Sequence, residues 1–242
     1  MSKDLQAADD FRLQTRNVLL SSLGKAQGEK HSLRELPHFL KQFFPLGNKL
    51  QQSLSHEQIT RLVRALEETL SGSRKEQLLK TANRCPSLEE FWEYRMKTNL
   101  MDVIFALMWP ASIPPGETVT LLEDYCDNVN KAISIINDIV SLKKEIMDEV
   151  PLNLVLIFFS QGESLQDSVS HANAMYRDAM GRISQLEERI NRSANPETRD
   201  FMTLCQNLIS GFIVWSINSP RYGLSLEGQC DDEITVLLPQ VL

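Results

Sequence analysis

The spacing of apolar residues along the chain predicts a protein built from helices. In one stretch they recur at intervals of three and four and so share one helical face: Ile59, Leu62, Val63, Leu66 and Leu70. A later stretch repeats this pattern: Val169, Ala172, Met180, Ile183, Leu186 and Ile190. Alternation typical of strands is rare, and the chain has only ten glycines. The pattern therefore indicates an all-α fold.

Helix-starting and helix-stopping residues divide this pattern into segments. Ser87 and Glu90 have the spacing of a capping box, which starts a helix that we expect to continue to Met108, before a proline-rich break. Pro196 suits the first turn of the last long helix. A polar, basic break is expected at 24–34, and a loop or lid after Arg221. The helices are predicted at 3–23, 35–47, from 55 onward, 87–108, 117–148, a short segment ending near 162, 163–191 and 196–215.

Composition narrows the class of protein. The 242 residues suffice for a single domain, predicted at 1–242, and a formal net charge of −7 argues against a nucleic-acid partner. The longest apolar stretch, at 153–159, is too short to cross a bilayer, and the first ten residues lack the apolar core of a signal peptide. We therefore expect a soluble, cytoplasmic protein with no membrane partner. The cysteines form no paired motif and predict reduced thiols: Cys85, Cys126, Cys205 and Cys230.

A ladder of oxygen-bearing side chains lies in the helix predicted at 117–148. Asn137, Ser141 and Glu145 follow one another at intervals of four, so they lie along one face of that helix. An amide oxygen, a hydroxyl and a carboxylate are hard ligands that suit Mg²⁺. The spacing alone is also compatible with an ordinary solvated polar face. The histidines show no metal spacing: His31, His38, His56 and His171.

The stretch NDIVSLKKE, which begins at Asn137, resembles the second metal motif of class I terpene cyclases, (N/D)Dxx(S/T)xxxE. It is similar to the form found in fungal sesquiterpene cyclases, where a lysine precedes the glutamate, as Lys144 does here. The resemblance implies the helical bundle of the class I terpenoid synthases. It also implies binding of three Mg²⁺ ions, with Mn²⁺ as a substitute, and a diphosphate-binding role for Lys144.

A second stretch, PSLEEFWEYR, ends at Arg95 and resembles the family segment that carries a diphosphate-sensing arginine. A guanidinium suits this role because it stays charged and can bind two phosphate oxygens. The resemblance further implies that Thr98 is a linker and that Asn99 is catalytic, its main-chain carbonyl facing the ionising substrate. Taken without the family, Arg95 could instead form a surface ion pair with Glu89 or Glu90.

Two further stretches extend the resemblance toward the chain ends. Arg221 and Tyr222, which follow a helix containing Trp215, resemble the C-terminal arginine–tyrosine pair that hydrogen-bonds the diphosphate in the family. Asp9 and Asp10 resemble the start of the aspartate-rich metal motif DDxx(D/E), although Leu13 takes its last position.

The acidic motif also has a local interpretation, as ordinary acidic residues near a helix start. Only eight residues precede Asp9, whereas the family has several helices there. We therefore expect an N-terminally shortened bundle.

These resemblances predict a Mg²⁺-dependent cyclase that ionises a prenyl diphosphate, with farnesyl diphosphate as substrate and a sesquiterpene and diphosphate as products. Two alternatives stay open: a truncated or inactive relative that binds diphosphate without turnover, and a helical partner-binding protein. A monomer or a homodimer is expected. Several aromatic residues could shield a carbocation, but plain core packing is the simpler expectation: Phe91, Trp92, Phe105, Trp109 and Phe212.

Overall fold

The computed structural model describes residues 5–25, 36–82, 84–114, 116–147 and 152–224, and within these ranges it contains helices and no strands. Most of the predicted lid after Arg221, most of the predicted break at 24–34, Cys230 and His31 lie outside the described residues. The helices are α1 (Leu5–Ser22), α2 (His38–Lys41), α3 (Phe43–Ser53), α4 (His56–Ala82), α5 (Leu88–Thr98), α6 (Met101–Met108), α7 (Thr118–Met147), α8 (Leu154–Ser160), α9 (Leu165–Asn191) and α10 (Pro196–Asn218).

The long helix α7 lies at the centre of the bundle. It packs most extensively against α9 and also contacts α5, α6, α8 and α10. One core cluster joins its first half to α6, α9 and α10, and includes Tyr125 and Phe201. A second cluster joins its later part to α5, α8 and α9, and includes Phe91 and Phe158. Burial on several sides fixes α7, so the polar residues on its remaining face have a defined position.

The expected helix boundaries are largely confirmed. Ser87 and Glu90 form the capping box: the Glu90 N–H donates to Ser87 Oγ at 3.1 Å, and the Ser87 N–H donates to Glu90 Oε2 at 3.0 Å. Pro196 begins α10. The segment predicted at 35–47 was wrong, because it divides into α2 and α3, and α3 runs on to Ser53. Pro45 does not end α3, because it lies in the first turn, where the missing N–H costs no helical hydrogen bond.

The continuous helix predicted at 87–108 was also wrong. The chain breaks between α5 and α6, where Leu100 adopts a left-handed conformation with φ of 66°. Side chains of neighbouring helices satisfy the carbonyls that the break leaves without helical partners. Thr69 Oγ1 donates to the Lys97 carbonyl at 3.0 Å, and Asn130 Nδ2 donates to the Met96 carbonyl at 2.9 Å. These contacts replace the hydrogen bonds that would otherwise favour a continuous helix.

Gly72 allows α4 and α5 to approach closely. A Cβ atom at this position would lie 2.8 Å from Lys97 Cβ and 3.2 Å from the Tyr94 carbonyl oxygen. A side chain there would push α5 away, and Arg95 with it.

Other expectations concern burial and cysteine chemistry. Phe91, Phe105 and Trp109 are buried in the core. The described cysteines are free thiols: Cys85, Cys126 and Cys205. No helix within the described ranges is both long enough and apolar enough to span a membrane.

Candidate metal and diphosphate site

The three side chains of the polar ladder lie together on α7. Ser141 Oγ donates a hydrogen bond to Glu145 Oε1 at 3.0 Å, so these two potential ligands are adjacent. Asn137 lies one turn earlier, and its Oδ1 accepts a hydrogen bond from Arg95 Nη2 at 2.6 Å. Ser141 is buried, while Asn137 and Glu145 are partly exposed. The ladder is thus buried at its middle residue and reachable from solvent at both ends.

Arg95 points from α5 into this face of α7. Its Nη2 also pairs with Asp138 Oδ1, and the side chains of Arg95 and Asp138 are only 16% and 1% exposed. Glu90, a candidate surface partner, instead binds Arg84, with 2.8 Å between Arg84 Nη1 and Glu90 Oε2. Arg95 therefore lies beside the metal ladder.

The guanidinium of Arg95 is also incompletely satisfied. Its Nε is buried and has no hydrogen-bond partner among the residues that the structure describes. A buried donor without a partner is costly, and an anion bound here would relieve that cost. The Nε without a partner thus belongs to a guanidinium that also donates to Asn137.

Asp138 is a site residue that the sequence analysis did not identify. Burial raises its pKa to about 6, although the Arg95 cation and the Leu154 N–H, which donates to Asp138 Oδ2 at 2.7 Å, act in the opposite direction. Its position could have been found, because buried Ile135 and Leu142 lie three residues before and four after it. A carboxylate on that apolar face needs a cationic partner.

Asn153, just before α8, is a second residue that the sequence analysis missed. Its Nδ2 donates to Glu145 Oε2 and to the Asp138 carbonyl, both at 2.7 Å, and its Oδ1 accepts from the Val155 N–H at 2.9 Å. Asn153 is fully buried. Helical periodicity gives no signal for this contact, because Asn153 lies beyond the end of α7.

The segment after α10 returns to the ladder. Tyr222 is buried, and its hydroxyl accepts from Asn137 Nδ2 at 3.1 Å. Lys143 Nζ donates to the Gly223 carbonyl at 3.0 Å, and the Trp215 ring meets the Tyr222 ring edge-on at 5.8 Å. The side chain of Arg221 is exposed, and its guanidinium carbon lies 5.9 Å from the centre of the Tyr222 ring. The structure thus brings Tyr222 to the ladder and leaves Arg221 at the surface beside it.

Asn99, which the family resemblance predicts to be catalytic, lies at the break after α5. Its Nδ2 donates to Ser134 Oγ at 2.6 Å and also to Asn130 Oδ1, while its Oδ1 accepts from the Met101 N–H at 3.1 Å. Asn130 and Ser134 lie on α7, seven and three residues before Asn137. The break and the metal ladder are therefore held by the same helix.

The aspartate pair lies on α1, which packs against α3 and α4. Asp9 Oδ1 accepts from Arg12 Nη1 and from Arg74 Nε, both at 2.9 Å. The hydrogen bond from Arg74 is the main reason that the pKa of Asp9 lies below its ordinary value. Asp10 accepts from Gln6 Nε2 at 2.9 Å. Asp9 is thus occupied by two cations in this structure.

The α7 ladder supplies hard oxygen donors of the kind that Mg²⁺ prefers, so these residues fit a divalent cation. Within the described ranges, no three His, Cys, Asp or Glu side chains gather as a metal cluster. Lys144 is partly buried on α7, directly before Glu145. Asp9 can bind a metal cation only if at least one of its two arginine partners leaves its carboxylate.

Comparison with known proteins identifies the family to which the chain belongs. A family model described as terpene synthase family 2, C-terminal metal binding, matches residues 7–182. Terpene cyclase braA of Annulohypoxylon truncatum is 25% identical over 211 residues, which cover 81% of this chain and 54% of that protein. Sesquiterpene cyclase hepA of Aspergillus oryzae is 24% identical over 238 residues, which cover 91% of this chain and 64% of that protein.

A solved structure shares this helical fold. The structure of linalool/nerolidol synthase from Streptomyces clavuligerus, in complex with 2-fluorogeranyl diphosphate, superposes with a TM-score of 0.72 at 16% identity. That match covers 90% of this chain and 78% of the other.

The fold is therefore the helical bundle of the class I terpenoid synthases, and the chain belongs to the terpene synthase family, whose matching domain is described as metal-binding. The chain spans 54% and 64% of the length of the two curated relatives.

Proposed function

We propose that the protein ionises a prenyl diphosphate in a Mg²⁺-dependent reaction, with farnesyl diphosphate as substrate and a sesquiterpene and diphosphate as products. The observation that carries this proposal is the buried Arg95 guanidinium, with its unpartnered Nε, beside the oxygen ladder of Asn137, Ser141 and Glu145. An anion donor next to hard oxygen ligands suits a metal–diphosphate group. The choice of farnesyl diphosphate is supported by the similarity to the Aspergillus sesquiterpene cyclase.

In this proposal each ladder residue contributes one oxygen to a divalent cation. Asn137 Oδ1 has two lone pairs, so it can accept from Arg95 and still face a cation. Glu145 presents Oε1 on the side of Ser141. Asp9, with Asp10 beside it, is proposed to bind metal from α1, in exchange for Arg12 or Arg74. Bound Mg²⁺ would supply the positive charge that stabilises the leaving diphosphate.

The chain's own donors would bind and orient the diphosphate. Arg95 contributes a guanidinium held against α7 by Asp138, so its direction is fixed before the substrate arrives. Tyr222, Arg221 and Lys144 are proposed to donate to the remaining phosphate oxygens from the ladder side. Preorganised donors of this kind favour departure of the diphosphate because they need no rearrangement as its charge develops.

The helix break is proposed to face the carbon that ionises. Asn99 is held by Asn130 and Ser134, and its main-chain carbonyl would present its negative end to the allylic cation. Apolar side chains around the site would fold the prenyl chain and exclude water until a proton is lost.

The test is incubation of the purified protein with farnesyl diphosphate, with and without Mg²⁺, followed by gas chromatography–mass spectrometry of the volatiles and assay of free diphosphate. We expect a Mg²⁺-dependent terpene and an equal release of diphosphate, both lost in Asn137→Ala. Geranyl and geranylgeranyl diphosphate in parallel test the chain length. If the folded protein binds diphosphate with Mg²⁺ but releases no terpene from any of the three prenyl diphosphates, this proposal is wrong and the protein binds diphosphate without turnover.

A further inference from the structure

Glu145 is constrained at both of its carboxylate oxygens. Oε1 accepts from Ser141 Oγ at 3.0 Å, and Oε2 accepts from Asn153 Nδ2 at 2.7 Å. Ser141 is itself a proposed ligand, so Oε1 is the oxygen that faces the candidate metal. Oε2 is turned toward the protein interior, where Asn153 is fully buried.

Asn153 is anchored independently of Glu145. The second hydrogen of its amide is donated to the Asp138 carbonyl on α7 at 2.7 Å, and its Oδ1 caps α8 by accepting from the Val155 N–H at 2.9 Å. The neighbouring Leu154 N–H donates to Asp138 Oδ2 at 2.7 Å. All the hydrogen-bonding groups of the amide are therefore engaged, and its orientation is fixed.

We propose that Asn153 is a positioning residue for the metal: by holding Glu145 Oε2, it fixes the carboxylate so that Oε1 and Ser141 Oγ face a divalent cation together. This inference rests on the proposed function, because it treats Glu145 as a ligand. A glutamate side chain has several rotatable bonds, and holding it in one rotamer removes an entropic cost from metal binding. Partners that orient metal ligands typically contribute about 10–100-fold to metal affinity.

Asn153→Ser separates this role from helix capping. Serine is also a favoured N-cap residue, so it can still accept from the Val155 N–H, but it has no amide to reach Glu145. The matched control is Asn195→Ser. Asn195 caps α10 by accepting from the Thr198 N–H at 2.9 Å, and its Nδ2 donates to the Ser112 carbonyl at 3.0 Å. The control thus loses the same kinds of hydrogen bond at a helix start, at a partly exposed position with no contact to the ladder.

The experiment measures Mn²⁺ affinity by electron paramagnetic resonance in the presence of inorganic diphosphate, together with the thermal midpoint of each variant. We expect Asn153→Ser to lower Mn²⁺ affinity by about 10-fold or more. Asn195→Ser should leave the affinity unchanged, and the thermal midpoints show how much stability each variant loses. In a Glu145→Gln background, Asn153→Ser should cause no further loss, because Asn153 acts through Glu145.

The outcomes distinguish this inference from the proposed function. Binding of Mn²⁺ by the parent protein with unchanged affinity in Asn153→Ser would overturn the inference and leave the proposed function intact. An equal loss in the Glu145→Gln background would also overturn it. Absence of Mn²⁺ binding in the parent protein would overturn both. If Asn153→Ser does not fold, Asn153→Thr also keeps a hydroxyl at the cap, fills more of the vacated space and lacks the amide donor, so the same loss is expected from it.

Discussion

The chain pairs an aspartate with arginine in two regions, and the two pairs differ in burial. Asp9 on α1, 32% exposed, binds Arg12 and Arg74, and its pKa is lowered, chiefly by the hydrogen bond from Arg74. Asp138 on α7 is 1% exposed and binds Arg95, yet burial raises its pKa to about 6. The arginine is present in both pairs, so the degree of burial decides the direction of the shift.

This difference suggests different roles for the two pairs. The Arg74 side of the Asp9 site is open to water, so Arg74 can be exchanged for a cation at little cost, whereas the Arg12 side chain is only 13% exposed. The pair at Asp138 is desolvated, and breaking it would leave an unpaired charge inside the bundle. Asp138 therefore acts as a fixed support for Arg95, while Asp9 can change partners.

The largest expected effect is on stability, from Arg95→Leu. It leaves the Asp138 carboxylate buried without its cation, and we expect a loss of about 3–5 kcal/mol of unfolding free energy at pH 7. Removing the Arg95 cation raises the pKa of Asp138 further above about 6. At pH 5 Asp138 is therefore protonated in the folded variant. The loss should thus shrink as the pH is lowered to about 5, because the protonated group no longer needs a cation. Urea denaturation at the two pH values measures this.

The control for Arg95→Leu is Arg74→Leu, which removes an exposed arginine from the other pair. Its unfolding free energy should change little at either pH. Equal losses from the two variants, or a loss from Arg95→Leu that does not depend on pH, would contradict the distinction drawn from burial.

Local signals predicted most of the helices. Apolar periodicity identified α4 and α9, and the capping box identified the start of α5, because each of these depends on residues close in sequence. The break between α5 and α6 was not predictable in this way. Its carbonyls are satisfied by Thr69 and Asn130, which come from distant parts of the chain.

The site residues divide in the same way, into those predictable from nearby sequence and those that depend on packing between helices. The spacing on one helix was enough to predict that Asn137, Ser141 and Glu145 lie together, and the family resemblance pointed to Arg95. Asp138 and Asn153 were missed, because their importance comes from the packing of α5 and α8 against α7. The resemblance at Asp9 did not indicate that Arg74 binds its carboxylate, because Arg74 lies on another helix.

The second prediction compares the two carboxylates as metal ligands. Glu145→Gln keeps the shape of the side chain but removes its charge, and we expect Mg²⁺-dependent diphosphate release to fall by about 100-fold or more. Asp9→Asn should cause a smaller loss, because Asp9 must give up an arginine before it binds metal. The measurement is the rate of diphosphate release against Mg²⁺ concentration. A larger loss of diphosphate release from Asp9→Asn than from Glu145→Gln would contradict this prediction.

The third prediction applies the same effect of burial on pKa to Asp102 on α6. Burial raises its pKa to about 6, so this group makes the fold less stable as the pH rises from about 4 to about 6. Asp102→Asn keeps an oxygen for the Asn130 amide, which donates to it at 3.2 Å. The drop in unfolding free energy between pH 4.5 and pH 7 should shrink by about 1–2 kcal/mol. Asp9→Asn should not change that drop, because the pKa of Asp9 is lowered and its contribution changes only at lower pH.

The smallest expected effect tests whether Arg74 competes with a metal for Asp9. Arg74→Gln removes a cation from the Asp9 carboxylate, so Mn²⁺ affinity in the presence of diphosphate should rise, by less than about fivefold because the pair is exposed. Arg64→Gln makes the same charge change on the same helix, at an arginine bound to Glu68 at 3.0 Å. It therefore controls for the general effect of removing positive charge. A rise in Arg74→Gln alone would support Asp9 as a metal ligand, whereas equal affinities in the two variants would mean that Asp9 serves to hold α1 against α4.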